Sequence, residues 1–110
     1  MAKKSQANNL PRIVLKDLET MGEQIKLARK RRKLSLIELA ERAQCSVLTL
    51  MRVEKGEPTV SIGIYARVLY GLGLHGDLMH IAENDKTGIL ITENEIMKRN
   101  QRKEEYVNFD

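Results

Sequence analysis

The stretch SLIELAERAQCSVLTLMRVEKG, residues 35–56, decides the fold of this 110-residue chain. It is apolar at helical spacing from end to end, but the four residues AQCS interrupt it. Ser35 and Glu38 spell a capping box, in which each side chain accepts a hydrogen bond from the backbone amide of the other residue. Ser46 offers a second N-cap. We therefore predict two helices joined by a tight turn, the second of which ends at Gly56.

Three further helices are predicted around this pair, from apolar residues that recur every three or four positions and from serine or aspartate caps. They cover about residues 18–32, 61–71 and 77–83, and residues 13–15 could extend the first helix upstream. The chain has one Phe, three Tyr and no Trp, so its core must consist of aliphatic side chains. That composition suits packed helices. The predicted fold class is all-α, with five helices.

The predicted domain lies between two terminal segments. Residues 1–12 are polar and are predicted to be a flexible arm, and residues 13–83 are the folded domain. Residues 84–110 are predicted to be a C-terminal tail for partner binding or dimerisation, in which ILIT at 89–92 is a strand-like run. Because this tail has little apolar surface, we expect it to order on a protein surface or not at all.

The charge of the chain is unevenly distributed. Residues 1–35 contain ten Lys or Arg against three Asp or Glu, whereas the rest contains nine against twelve. This asymmetry indicates a face made for an anion, most economically nucleic acid, although a basic arm is often only a solvated tail. Charges interrupt every apolar run and Cys45 is the single cysteine. We therefore expect a cytoplasmic protein with no membrane partner and no internal disulfide.

Catalytic and metal-binding patterns are not recognisable in the sequence. No nucleophile, base and orienting residue stand in a known arrangement, and no Gly-rich phosphate loop occurs, so we do not expect an enzyme. The soft metal ligands are His75, His80 and Cys45, and their spacing matches no zinc pattern. We expect neither a metal nor a cofactor.

Residues 21–74 resemble the Xre/Cro-type helix-turn-helix family through the spacing of LARKRR, LSLIELA, RVEKG and LGL. The resemblance implies a lambda-repressor-like domain whose third helix enters the major groove of double-stranded DNA. Within the family, GEPTVSIGIYARVL is similar to a segment of the antitoxins that accompany HipA-type kinase toxins. It implies a transcriptional repressor that binds a palindromic operator as a homodimer and that is the antitoxin of a kinase-like toxin.

The third helix has two arcs on a helical wheel. One arc is the predicted core side, and the other carries Val47, Leu48, Met51, Arg52 and Lys55. The resemblance assigns the outer arc to DNA, with a base-reading face made of Ser46, Val47, Leu48, Met51 and Arg52. There the apolar side chains would contact thymine methyl groups, and Arg52 would donate to a guanine edge.

The other site residues have phosphate-binding or structural roles. The predicted phosphate ligands are Arg32, Lys33, Ser35, Leu36 and Lys55. The basic cluster at 29–33 also suits a solvated helix end, because cations there favour the helix dipole. The resemblance implies that Arg29 pairs with Glu54, so we assign this pair a structural role.

Two positions depart from the family pattern. Leu36 stands where a glutamine is usual, so we expect only backbone amides to contact phosphate there. Gln44 stands where a glycine is usual, and a non-glycine residue in the left-handed region costs roughly 1–2 kcal/mol. We therefore expect a reshaped turn.

The apolar outer arc also supports an alternative function. Val47, Leu48 and Met51 would equally suit docking on a protein, since exposed apolar patches mark interaction sites in general. A protein-binding adaptor on a helix-turn-helix scaffold is therefore one alternative, and a free-standing phage-type repressor is another.

Overall fold

The structure is a computed structural model that describes residues 9–108, and the side chains of residues 9–103. Within this range it contains no strand and five α-helices, namely α1 (Arg12–Arg31), α2 (Leu36–Ala43), α3 (Val47–Glu54), α4 (Ile62–Gly71) and α5 (Lys86–Asn108). A 3-10 helix, His75–His80, separates α4 from α5. The all-α prediction is confirmed for the described residues.

Serine N-caps begin α2, α3 and α4, as the sequence predicts. The Ser35 hydroxyl accepts from the Glu38 amide at 3.1 Å, and the Glu38 carboxylate accepts from the Ser35 amide at 3.0 Å. The hydroxyls of Ser46 and Ser61 accept from the amides three residues further on. Residues 35–56 are therefore two helices, and the capping chemistry sets where each of them begins.

The first four helices all end in the same way. At each end the amide of a left-handed residue bonds to the carbonyl three residues back, and the next amide bonds to the carbonyl five back, which is a Schellman motif. The left-handed residues are Lys33, Gln44, Gly56 and Gly73. Gln44 has φ 54° and ψ 45°. The expectation of a reshaped turn is thus wrong, because Gln44 adopts the left-handed conformation itself.

The core lies among α1 to α4 and is almost entirely aliphatic. α1 packs on α3, and α2 packs on both α3 and α4. The fully buried large side chains are Leu39, Leu50, Val53 and Val68. The one buried aromatic residue of this core is Tyr65, whose hydroxyl donates to the Glu57 carbonyl at 2.8 Å.

Two glycines let α1 approach the end of α3 backbone to backbone. A Cβ at Gly22 would lie 2.5 Å from the Gly56 amide nitrogen and 2.7 Å from the Glu54 carbonyl oxygen. A Cβ at Gly56, where φ is 72°, would collide with the Leu18 carbonyl. Only glycine fits this contact, which fixes where α3 sits on α1.

Three element boundaries can be compared with the prediction. Of the two starts left open for α1, the structure shows the upstream one, because the helix includes residues 13–15 and begins at Arg12, directly after Pro11. The helix predicted at 77–83 is replaced by the 3-10 helix His75–His80, which is followed by turns. The predicted arm at 1–12 overlaps α1 at its last residue, and its residues 1–8 lie outside the described part of the chain.

The strand-like interpretation of residues 89–92 is wrong, because they belong to α5. The Asp85 side chain accepts from the Gly88 amide at 3.1 Å and so caps the helix. The Thr92 hydroxyl donates to the Gly88 carbonyl at 3.0 Å, which satisfies its side chain within the helix. The tail prediction missed a helix of 23 residues.

The chain divides into two compact units, the first ending at Leu78 and the second beginning at Met79. All of the buried core residues belong to the first unit. The described part of the second unit consists of the last two residues of the 3-10 helix, the turns that follow and α5, and none of its described side chains is buried.

Candidate nucleic-acid interface

α3 has a buried side that holds it in place and an outer side that is open to solvent. Leu50 and Val53 are completely buried, whereas Leu48 is 61% exposed and Met51 is 41% exposed. Arg52 and Lys55 are exposed as well. We call Leu48, Met51 and Arg52 the reading face.

Val47 and Ser46, which were also assigned to base reading, are less available. Val47 is half-buried and packs against the core. The Ser46 hydroxyl donates to Thr49 Oγ1 at 2.8 Å and accepts from the Thr49 amide at 3.0 Å. Its proton and one of its lone pairs are therefore occupied in capping α3.

Arg29 and Glu54 form the pair that the resemblance implies. Arg29 Nε lies 2.7 Å from Glu54 Oε2, and Nη2 lies 3.1 Å from Oε1, so the contact is bidentate. Arg29 Nη1 also donates to the Leu34 carbonyl at 3.0 Å. Because both residues are buried, this guanidinium links α1 to the last residue of α3 and is not presented to a ligand.

Arg52 on the reading face has an acidic neighbour that sequence reasoning missed. Its Nε lies 3.8 Å from Glu57 Oε2, and both side chains are partly open to water. The Glu57 amide donates to the Arg52 carbonyl, and the Glu57 carbonyl accepts from Tyr65. The sequence signal that could have predicted this contact is the Schellman motif at Gly56. Its hydrogen bond from the Glu57 amide to the Arg52 carbonyl brings the two residues together.

Tyr65, which donates to Glu57, has a perturbed pKa. Burial, and then the negative charge of Glu57, raise the pKa of Tyr65 to about 12. The phenol therefore keeps its proton up to about pH 12 and donates it to the Glu57 carbonyl in the loop that follows α3.

Four of the five predicted phosphate ligands lie between the end of α1 and the first residue of α2. Arg32 and Lys33 are exposed, and Arg32 Nη1 donates to the Ala28 carbonyl at 2.9 Å. Ser35 and Leu36 follow directly at the start of α2, while Lys55 lies apart from them, at the end of α3.

The start of α2 keeps part of its capacity for an anion. The capping box occupies the amides of Ser35 and Glu38, so those of Leu36 and Ile37 are the ones left at this end. The Leu36 side chain packs against the core, which leaves its backbone as the polar group. The hydrogen bond from the Ser35 amide lowers the pKa of Glu38. Its ionised carboxylate therefore lies beside these amides.

Comparison with known proteins assigns the chain to a family. A family model described as "Helix-turn-helix domain" matches residues 20–80, more than half of the chain. The chain therefore belongs to the helix-turn-helix domain family, and its membership suggests a DNA-binding regulator. Neither the curated proteins nor the solved structures gave a match.

Two further findings concern membrane-spanning helices and metal sites. No helix within residues 9–108 is long and apolar enough to cross a membrane. Among the described side chains, those of residues 9–103, no three His, Cys, Asp or Glu lie close enough together to share a metal ion.

Proposed function

We propose that the protein is a sequence-specific DNA-binding regulator that places α3 in the major groove. The observation that carries this proposal is the exposed reading face of α3. The opposite side of the helix is buried, and contacts with α1 fix its position. Gly22 and the Arg29–Glu54 pair hold α3 against α1. A reading helix needs such rigidity, because base contacts depend on side chains held within a fraction of an ångström.

Backbone contacts would orient the protein on the duplex. Arg32, Lys33 and Lys55 supply positive charge for phosphates, and the amides of Leu36 and Ile37 at the start of α2 supply neutral donors. Such contacts carry no sequence information, but they set the register of α3 in the groove.

We further propose a repressor that acts in the cytoplasm as a homodimer. An α3 of eight residues reaches only a few base pairs, and two-fold symmetry doubles the contacts on a palindromic operator. The similarity of residues 56–69 to a segment of HipA-associated antitoxins supports a kinase-like toxin as a second partner. Co-purification of the full chain with a kinase-like protein encoded beside it would test that part.

The experiment for DNA binding is selection of duplexes from a random pool with the full-length protein. The selected sequence is then compared with the DNA upstream of its own gene in a mobility-shift assay. We expect one enriched motif, and we expect Arg52→Ala to weaken its binding by about 1–3 kcal/mol through loss of a guanine contact. Arg12→Ala removes the same charge from the far end of α1 and should leave the motif's affinity nearly unchanged.

A protein-binding adaptor is the second candidate, because Leu48 and Met51 are apolar and exposed on the same face. It predicts no enriched DNA motif, together with reduced binding of a protein partner in Met51→Ala.

A further inference from the structure

We infer that the reading face recognises the 5-methyl group of pyrimidines, so that 5-methylcytosine can replace thymine in the bound DNA. The inference rests on the proposed DNA-binding function and names what the same surface reads. It follows from the side chains that α3 exposes and from the hydrogen-bond acceptors that its reading face lacks.

The reading face has no side chain that accepts a hydrogen bond from a base. Glu54 is the one acidic residue of α3, and it is buried against Arg29. α3 contains no Asn or Gln, and the Ser46 and Thr49 hydroxyls bond to one another. Adenine is usually read by a side-chain amide and cytosine by a carboxylate, and Leu48, Met51 and Arg52 carry neither group.

The reading face can therefore make two kinds of base contact. Arg52 suits the O6 and N7 acceptors of guanine, because its side chain is 54% exposed even though its Nε lies 3.8 Å from Glu57 Oε2. Leu48 and Met51 suit the methyl group of thymine. The predicted code therefore consists of guanine and a methylated pyrimidine.

An apolar side chain cannot distinguish the two methylated pyrimidines. Thymine and 5-methylcytosine carry the same methyl group at C5 and differ at C4, where one has an acceptor oxygen and the other a donor amine. Leu48 and Met51 form no hydrogen bond with either group. Only the presence of the methyl group matters to them.

The spacing on α3 limits how far apart the two contacts lie. Leu48 and Arg52 are four residues apart on one row, about 6 Å along the helix axis. Successive bases on a strand are about 3.4 Å apart. A methylated pyrimidine should therefore occur within about two base pairs of the guanine.

The test begins with the motif selected by the full-length protein and uses two matched comparisons. Each thymine is replaced by uracil, and each thymine position is separately rebuilt as cytosine or as 5-methylcytosine opposite guanine. Affinity is measured by fluorescence anisotropy at one salt concentration. At the methyl-reading positions we expect uracil to bind about fourfold more weakly than thymine, and cytosine about fourfold more weakly than 5-methylcytosine. That factor corresponds to about 0.8 kcal/mol for one buried carbon.

Variants assign the effect to this face. Leu48→Ala/Met51→Ala should bring both ratios close to one, and both side chains are exposed, so the fold should survive, as a thermal melt would show. Ile62→Ala is the control, because Ile62 is 70% exposed on α4 and outside the reading face. It should leave both ratios near four.

Three results would overturn the inference. Equal binding of uracil and thymine at every position would refute methyl reading while leaving DNA recognition intact. Unchanged ratios in the double variant would attribute the methyl effect to DNA shape instead of to Leu48 and Met51. Failure to select any motif would refute the DNA-binding proposal and this inference with it.

Discussion

The guanidinium of Arg29 is buried together with the Glu54 carboxylate, and two hydrogen bonds join these groups. Breaking a buried pair by removing one partner costs about 3–5 kcal/mol, because the other charge stays buried alone. We expect Arg29→Leu to lower the free energy of unfolding by that amount in urea titrations. Arg29→Leu/Glu54→Leu should lose much less than the two single losses added together. Additive losses would show that the two charges are not coupled.

Tyr65 gives the protein a pH dependence at its alkaline limit. Its pKa is about 12 in the folded protein, whereas an unfolded tyrosine ionises near pH 10. Between about pH 10 and pH 12 the folded state binds a proton that the unfolded state has lost, so stability falls as the pH rises and then levels off.

Comparison with Tyr65→Phe isolates this effect from other titrating groups. The variant loses the 2.8 Å hydrogen bond to Glu57 and should be less stable at neutral pH. The difference in urea midpoint between the two proteins should then shrink as the pH rises above 10. A constant difference from pH 8 to 12 would mean that the folded state does not protect the phenol.

At the scale of helices, the approach of α1 to α3 depends on Gly22. Because Gly22→Ala places a Cβ against the backbone of Val53, Glu54 and Gly56, α3 must move. We expect a loss of about 1–3 kcal/mol in stability, which is typical of overpacking, and a loss of DNA affinity. Denaturant unfolding and anisotropy would measure the two.

Gly63→Ala is the matched control for that substitution. A Cβ at Gly63 would have its nearest neighbour at 3.8 Å, the Ser61 hydroxyl oxygen, which is ordinary contact. Because alanine favours helix over glycine by up to ~1 kcal/mol, this variant should be equally or more stable. Destabilisation of both variants alike would show that Gly22 has no special packing role.

The helix starts were predictable where a local signal marks them. Ser35, Ser46 and Ser61 are bonded to amides three residues away, so their role is written within a few positions of the sequence. The approach of Gly22 to Gly56 joins residues far apart in the chain, and no local pattern reveals it. Likewise, the outer side of α3 could be drawn on a wheel, but the partial burial of Val47 depends on its neighbours in space.

α5 was missed for a different physical reason. Its described side chains are exposed, so the helix has no strong apolar stripe, and Ile89, Ile91 and Thr92 favour strands as isolated residues. The cap at Asp85 was the available signal. Gln44 shows the opposite case, in which the turn geometry that the family resemblance implies prevails over the residue's own preference.

At the scale of the whole molecule, the unequal distribution of charge should appear in the salt dependence of DNA binding. If Arg32 and Lys33 contact phosphates, Arg32→Ala/Lys33→Ala should weaken binding to all sequences about equally. It should also flatten the slope of log affinity against log salt by roughly one unit per contact. Affinity would be measured from low to high salt by fluorescence anisotropy.

The control for this pair is Arg12→Ala/Lys16→Ala, which removes the same charge from the other end of α1. Its slope should match that of the unaltered protein if local contacts matter rather than net charge. Equal flattening in both double variants would indicate a general electrostatic effect and would remove Arg32 and Lys33 from the interface.

The glycine contact between α1 and α3 attaches α3 to α1 at a second point. α3 is joined to α1 once through the chain by way of α2, and a second time through Gly22, Gly56 and the Arg29–Glu54 pair. Because α3 is attached to α1 in two ways, it has little freedom to rotate when it meets an irregular surface. If the protein binds DNA as proposed, the adjustment must come from the duplex, so sequences that bend or twist easily at uncontacted steps should be preferred.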